Sequence, residues 1–141
     1  MGNSNLALWV ARALSTLFVL FMVFDVAIKL LRLSIVDEAM TQLGYPAGLG
    51  FAIGLLEALA LALYLTPRSA VLGAVLFTGV FGGAIASRAR IGDPLFSHVL
   101  FGAYLGLFAW GGLWLRDPSL RAVFPVRPAA IRPSPPPPLP R

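Results

Sequence analysis

Residues 69–87 read SAVLGAVLFTGVFGGAIAS, nineteen positions without an acidic or basic side chain. Crossing the hydrocarbon of a bilayer as a helix takes about 20 apolar residues, within a range of roughly 17–25. A soluble helix carries one apolar stripe, whereas this stretch is apolar all round. Strand-type alternation is absent, which argues against a barrel. The stretch predicts a membrane-spanning helix, opened two residues earlier by Pro67, and the same reading finds three more. The expected spans are 6–31, 49–65, 67–87 and 94–115. The composition of the 141-residue chain agrees: 58% of it is hydrophobic, 12% charged, and the mean hydropathy is +0.83. An average soluble domain carries roughly 25% charged residues.

The net charge of +5 does not mark a nucleic-acid surface. After Leu115 there are five arginines against Asp117, so +4 of the +5 belongs to the C-terminal end and the bundle is nearly neutral. The fold class expected is all-α: an integral membrane four-helix bundle over 1–125, with a proline- and arginine-rich disordered tail over 126–141. The first span reads as a retained helix, because it lacks a charged leader and a small-residue cleavage site. There is no cysteine, hence no thiol relay, disulfide or Cys-ligated metal. A lone histidine beside scattered carboxylates is a weak metal signal, so no metal site is expected. No phosphate loop, catalytic triad or dinucleotide fingerprint is present.

The connectors carry helix-boundary chemistry. Ser34-Ile35-Val36-Asp37 resembles a capping box, and Val36, Met40 and Leu43 recur at helical spacing before Gly44. These features predict a short amphipathic helix at the interface between spans one and two. Thr66-Pro67, Asp93-Pro94 and Asp117-Pro118 each set a capping side chain before a proline suited to the first helical turn. Small residues recur every fourth position, as Gly50-Gly54-Ala58-Ala62, Gly79-Gly83-Ser87 and Gly102-Gly106. Such ridges let helix backbones approach closely in lipid.

An even number of spans puts both termini on one side. Basic residues set orientation: seven, Arg12, Arg68 and the five C-terminal arginines, lie on the side of the termini. Lys29, Arg32, Arg88 and Arg90 lie opposite. The expected topology is multi-pass in an inner membrane, with both termini cytoplasmic. Trp9, Trp110 and Trp114 then sit near the cytoplasmic interface as an aromatic belt.

Ionisable groups inside spans are costly and mark candidate sites. Asp25, Lys29, Arg88, Arg90, Asp93 and His98 all fall toward the non-cytoplasmic face. Glu57 lies about 12 Å deeper than the start of its span at 1.5 Å per residue, roughly level with Thr78 and Tyr104. The expected arrangement is a polar vestibule with Glu57 at its floor. Glu57 would be either neutral, donating to Tyr104, Thr78 or a ligand, or ionised against Lys29 or Arg88. Asp25 and Lys29 form an i,i+4 pair, and Asp93 reads as a helix cap. The candidates for ligand binding or proton relay are therefore Glu57, Asp25, Lys29, Arg88, Arg90, His98, Tyr104 and Thr78. A structural interhelical hydrogen bond at Glu57 is the plainer alternative.

In order and spacing, several motifs resemble the DoxX-like family of small four-helix membrane proteins. They are Phe24-Asp25 with Lys29-Leu30, Leu43-Gly44-Tyr45-Pro46, Glu57, Tyr64 with Pro67-Arg68, Gly82-Gly83-Ala84, the run from Arg90 to His98, and Gly112-Leu113-Trp114-Leu115-Arg116-Asp117. Relatives often read Ala-Thr-His-x-Arg where this chain has Ala86-Ser87-Arg88-Ala89-Arg90. Arg88 can stand in for that histidine as a donor or a positive charge, but not as a base. A proline common near Gly102 is also missing. The resemblance implies a membrane protein, in some relatives a subunit linked to quinone-dependent sulfur oxidation or redox stress.

The leading expectation is a non-enzymatic membrane subunit, or a binder of a small hydrophobic molecule such as a quinone or a lipid, with no covalent cofactor. Alternatives are a quinone-linked membrane oxidoreductase subunit, a small transporter, and a scaffold. The partners expected are the bilayer, such a ligand, and membrane oxidoreductase subunits; nucleic acid is not among them.

Overall fold

The computed structural model describes residues 2–125, with side chains from Asn5 onward. The segment 126–141, read above as a solvated tail, lies outside the described residues. The described residues are helical and contain no strand. In order they form α1 (Gly2–Leu30), α2 (Ser34–Gln42), α3 (Leu49–Leu65), α4 (Ala70–Arg90), a π-helical turn (Leu95–Val99), α5 (Phe101–Arg116) and α6 (Pro118–Val123). Three helical stretches, Asn5–Leu30, Ala70–Arg90 and Leu95–Arg116, are long and apolar enough to cross a membrane. The apolar helix α3 is shorter, at 17 residues. This is a helical membrane bundle in which α1 packs on α3 and α5, and α4 packs on α3 and α5.

The core lies where four faces meet. Phe18 of α1 is fully buried and meets the rings of Tyr64 and Phe77 edge-on, with centroids 5.0 and 5.1 Å away. Phe77 stacks on Phe81 at 5.6 Å. Edge-to-face and offset rings place positive edges against negative faces, which adds stabilisation beyond area burial. The Tyr64 hydroxyl donates to the Ala109 carbonyl at 2.9 Å, which joins α3 to α5 and satisfies a buried polar group.

Several helix boundaries differ from those expected, because the capping side chains have other partners. Ser34 lies inside α2, whose N-cap is Leu33 and has no side-chain cap. Thr66 donates back to the Ala62 carbonyl at 2.9 Å, and α4 begins only at Ala70. Asp93 is drawn to Arg88 at 2.8 Å and caps no helix. Its span opens as a π-helical turn, in which the Val99 and Leu100 amides reach carbonyls five residues back, at 3.2 and 2.8 Å. Asp117 does cap, accepting from the Ser119 and Leu120 amides at 2.9 and 3.2 Å. At the end of α2, Gly44 at φ 76° lets the Tyr45 and Gly44 amides return to Met40 and Thr41, a closing turn that favours glycine.

The small-residue ridges are used unequally. Gly50 and Gly54 are buried, while Ala62 is exposed and Gly79 and Gly83 face open space. The tightest approaches involve other glycines. A Cβ on Gly73 would strike the Tyr64 backbone and the Ala60 carbonyl of α3, and one on Gly112 would strike Ser15 of α1. Gly73→Val should therefore destabilise the purified protein by about 1–3 kcal/mol, the usual cost of overpacking. Gly79→Ala should be neutral or stabilising, and thermal unfolding in detergent compares the two.

Candidate functional site

Asp25 and Lys29 stand one turn apart on α1, so their side chains share a face. The Lys29 ammonium donates to Asp25 Oδ2 at 2.5 Å and to both carboxylate oxygens of Glu57 at 2.7 Å. An ammonium has three donors, and here all three meet carboxylate oxygens. Glu57 comes from α3, and its approach depends on the absence of a side chain nearby. A Cβ on Gly54 would lie 2.7 Å from Lys29 Cβ, so glycine there lets α1 and α3 close up, with Glu57 just under one turn deeper. Glu57 is 2% exposed, while the Asp25 and Lys29 side chains are 22% and 14% exposed. The i,i+4 pair expected on α1 is thus one half of a three-residue cluster that crosses between helices.

Further polar contacts surround the cluster at the same end of the bundle. Arg88 holds Asp93 at 2.8 Å. Arg90 donates to the Leu43 carbonyl and so ties the end of α4 to the end of α2. The Ser87 hydroxyl donates to the Gly83 carbonyl at 2.7 Å, so it must accept from the Tyr45 hydroxyl 2.6 Å away. Ser97 pairs with His98 Nδ1 at 2.8 Å. Among the described residues, no His, Asp and Glu side chains gather in threes as a metal site requires.

Three of the eight residues proposed from the sequence stand apart: Arg90, held on the Leu43 carbonyl and absent from the lining of the space around Glu57, and Thr78 and Tyr104. Thr78 donates to the Ala74 carbonyl at 2.8 Å and accepts from the Trp110 indole at 2.9 Å. Tyr104 is 39% exposed. Neither lines the space around Glu57, because their level along the helix axis matches but their helix faces point elsewhere. Sequence reasoning missed the Tyr45–Ser87 bond and the Arg90–Leu43 clasp. Their signal was the tyrosine directly after the helix-ending Gly44 and the serine one helical turn beyond Gly83.

Two cavities meet at the cluster. One, of about 320 Å³, lies between α1, α2, α4 and α5. It is walled by apolar side chains such as Phe21, Ile28, Phe81 and Leu105, with Asp25, Lys29, Glu57, Arg88 and His98 as its ionisable lining. The other, of about 510 Å³, opens between α3 and α4 along Gly79 and Gly83 and also reaches Lys29 and Glu57. Both volumes fall in the range of small-molecule sites, roughly 300–1,000 Å³.

Removing Lys29 would leave two facing carboxylates without their shared donor. Breaking a buried ion pair from one side is strongly destabilising, by about 3–5 kcal/mol. Lys29→Met should therefore lower the melting temperature in detergent more than Glu57→Gln, which leaves the Asp25–Lys29 pair intact. Equal effects would mean that the Asp25–Lys29 pair adds nothing beyond the interhelical contact, which both variants break.

Compared with known proteins, residues 13–112 match the family model described as the DoxX-like family. No curated protein and no solved structure matches the chain.

Proposed function

The chain belongs to the DoxX-like family, and from that premise we propose a four-span membrane protein that holds a small hydrophobic molecule, of the quinone or lipid class, in its polar-mouthed cavity. The observation that carries this reading is the Asp25–Lys29–Glu57 cluster set into the wall of a largely apolar, 320 Å³ space. A hydrocarbon body fits the apolar wall, and a few convergent polar groups fix the orientation of a ligand. Arg88 spends one nitrogen on Asp93 and keeps other guanidinium donors, and His98 keeps Nε2. Both can donate to a carbonyl or ester oxygen at the mouth.

In this reading α3 is the fourth span. At 1.5 Å per residue its 17 residues extend about 26 Å, close to the roughly 30 Å hydrocarbon thickness, and it packs between α1 and α4. Helix α2 lies along the interface. Val36 is buried beneath it, while Asp37 and Glu38 are exposed. The membrane is an inner membrane and the termini are cytoplasmic, which the distribution of basic residues supports. A reporter active only in the cytoplasm, fused after Arg141, should be active; silence there would reverse the orientation.

Gentle purification followed by native mass spectrometry tests the ligand. The parent should carry a quinone or lipid at a fixed ratio through delipidation, and Glu57→Gln or Arg88→Gln should retain it about tenfold less, a loss of about 1.4 kcal/mol. A stoichiometric protein partner with no small molecule would replace this reading with a scaffold. Retention unchanged in both variants would move the ligand away from this cavity.

A further inference from the structure

The cluster holds two carboxylates and one ammonium, so fully ionised it carries one surplus negative charge. Among the described residues, each neighbouring cation is committed elsewhere. On α1, Arg32 is turned over the Phe51 ring, 4.4 Å from its centroid. On α4, Arg88 is bound to Asp93 and Arg90 to the Leu43 carbonyl. The π-helical turn offers His98, whose Nδ1 is paired with Ser97. Helix α2 adds no cation; its Asp37 borders a separate cleft that also touches Lys29 and Arg32. Glu57, on α3, is 2% exposed, and the cavity wall around the cluster is largely apolar. An unpaired charge is expensive in such a place, and a buried group neutralises instead of bearing it.

We propose that Asp25, Lys29 and Glu57 form a binding site for one exchangeable proton, held by the carboxylate pair and reached through the cavity mouth beside Arg88 and His98. Both oxygens of Glu57 and Oδ2 of Asp25 accept from the same ammonium, so the two carboxylates share a single positive partner and the proton belongs to the pair. In loading, a hydronium from the mouth gives its proton to a carboxylate oxygen of the pair and leaves as water; in release, water takes it back. Lys29 keeps its charge throughout and sets the count at one, since each carboxylate beyond the first needs its own positive partner. The loaded pair has a donor where the ionised pair has only acceptors, in the wall of the cavity that Asp25, Lys29 and Glu57 line.

The site is independent of any occupant of the cavity, so it can be tested on delipidated protein. Infrared titration with hydrogen–deuterium exchange reads protonated carboxyl groups by their carbonyl band. At neutral pH the parent should show the band of one carboxylic acid, and deuterium should shift it. Asp25→Asn and Glu57→Gln should each abolish it completely, because either leaves one carboxylate balanced by Lys29. Lys29→Met should double it. If one carboxamide variant fails to fold, the other together with Lys29→Met still decides the matter. Absence of the band in the parent, its survival in both carboxamide variants, or its replacement by a dependence on sodium or potassium would each overturn the proposal.

Discussion

The ammonium of Lys29 is shared between carboxylates on two helices, and the arrangement of this bundle turns on that contact. Helices in lipid gain little from hiding apolar surface from one another, since the tails around them are as apolar as leucine. Which helices touch is decided by close backbone approach and by polar bonds. Gly54 supplies the approach between α1 and α3, and Lys29 supplies the bond. At the other end, Phe18 wedged against Tyr64 and Phe77, with the Tyr64–Ala109 hydrogen bond, closes the bundle on apolar and backbone groups. The polar end is not packed dry in this way. There, α2 and the turn after α4 lie over side chains that must keep charged partners, and the space left between them is the cavity.

The membrane character and the helices were legible because they depend on run length and charge density, which are properties of a single stretch. Helix boundaries were less legible, for a specific reason. A threonine or aspartate before a proline is a cap only when no stronger partner competes. Asp117 has none and caps. Asp93 has the Arg88 guanidinium within 2.8 Å, and a charge-assisted bond outweighs a neutral amide. The local sequence is alike in the two cases, and the difference is a residue five positions away that only the turn geometry brings back. The last long helix starts as a π-helical turn, in which the amides of Val99 and Leu100 reach one residue farther than in an α-helix, a departure that the apolar run of the span does not signal.

The polar site was legible in part through depth. Counting along each span put Asp25, Lys29, Arg88 and His98 at one end, and these do line a common space with Glu57. Depth alone does not specify a helix face, however. Thr78 and Tyr104 share the level assigned to Glu57 but project from other sides of α4 and α5. The small-residue ridges carry the same lesson. Gly50-Gly54 and Gly79-Gly83 are the same pattern, yet the first lies against α1 and α2 while the second faces open space. A stripe of glycines states that close approach is permitted; the neighbour that accepts it is set by the connectivity of the whole bundle.

That unfilled glycine face gives the cluster an unusual position. The space along Gly79 and Gly83 and the cavity on the far side of Val80 and Ala84 are separate volumes, yet both are bounded by Lys29, Met40, Leu43 and Glu57. The polar cluster is therefore a partition and not the blind end of one pocket. Its two Lys29–Glu57 hydrogen bonds hold α1 against α3 and so bear on both spaces at once. A change in its charge or geometry bears on both, because Lys29 and Glu57 line each of them. The partition is also held at its rim, where Tyr45 binds Ser87 and Arg90 binds the Leu43 carbonyl. These two contacts anchor the end of α2 and its following turn to α4, which keeps Met40 and Leu43 over the cluster. Polar groups otherwise costly in a membrane thus form a structural seam of the bundle and line the space inside it.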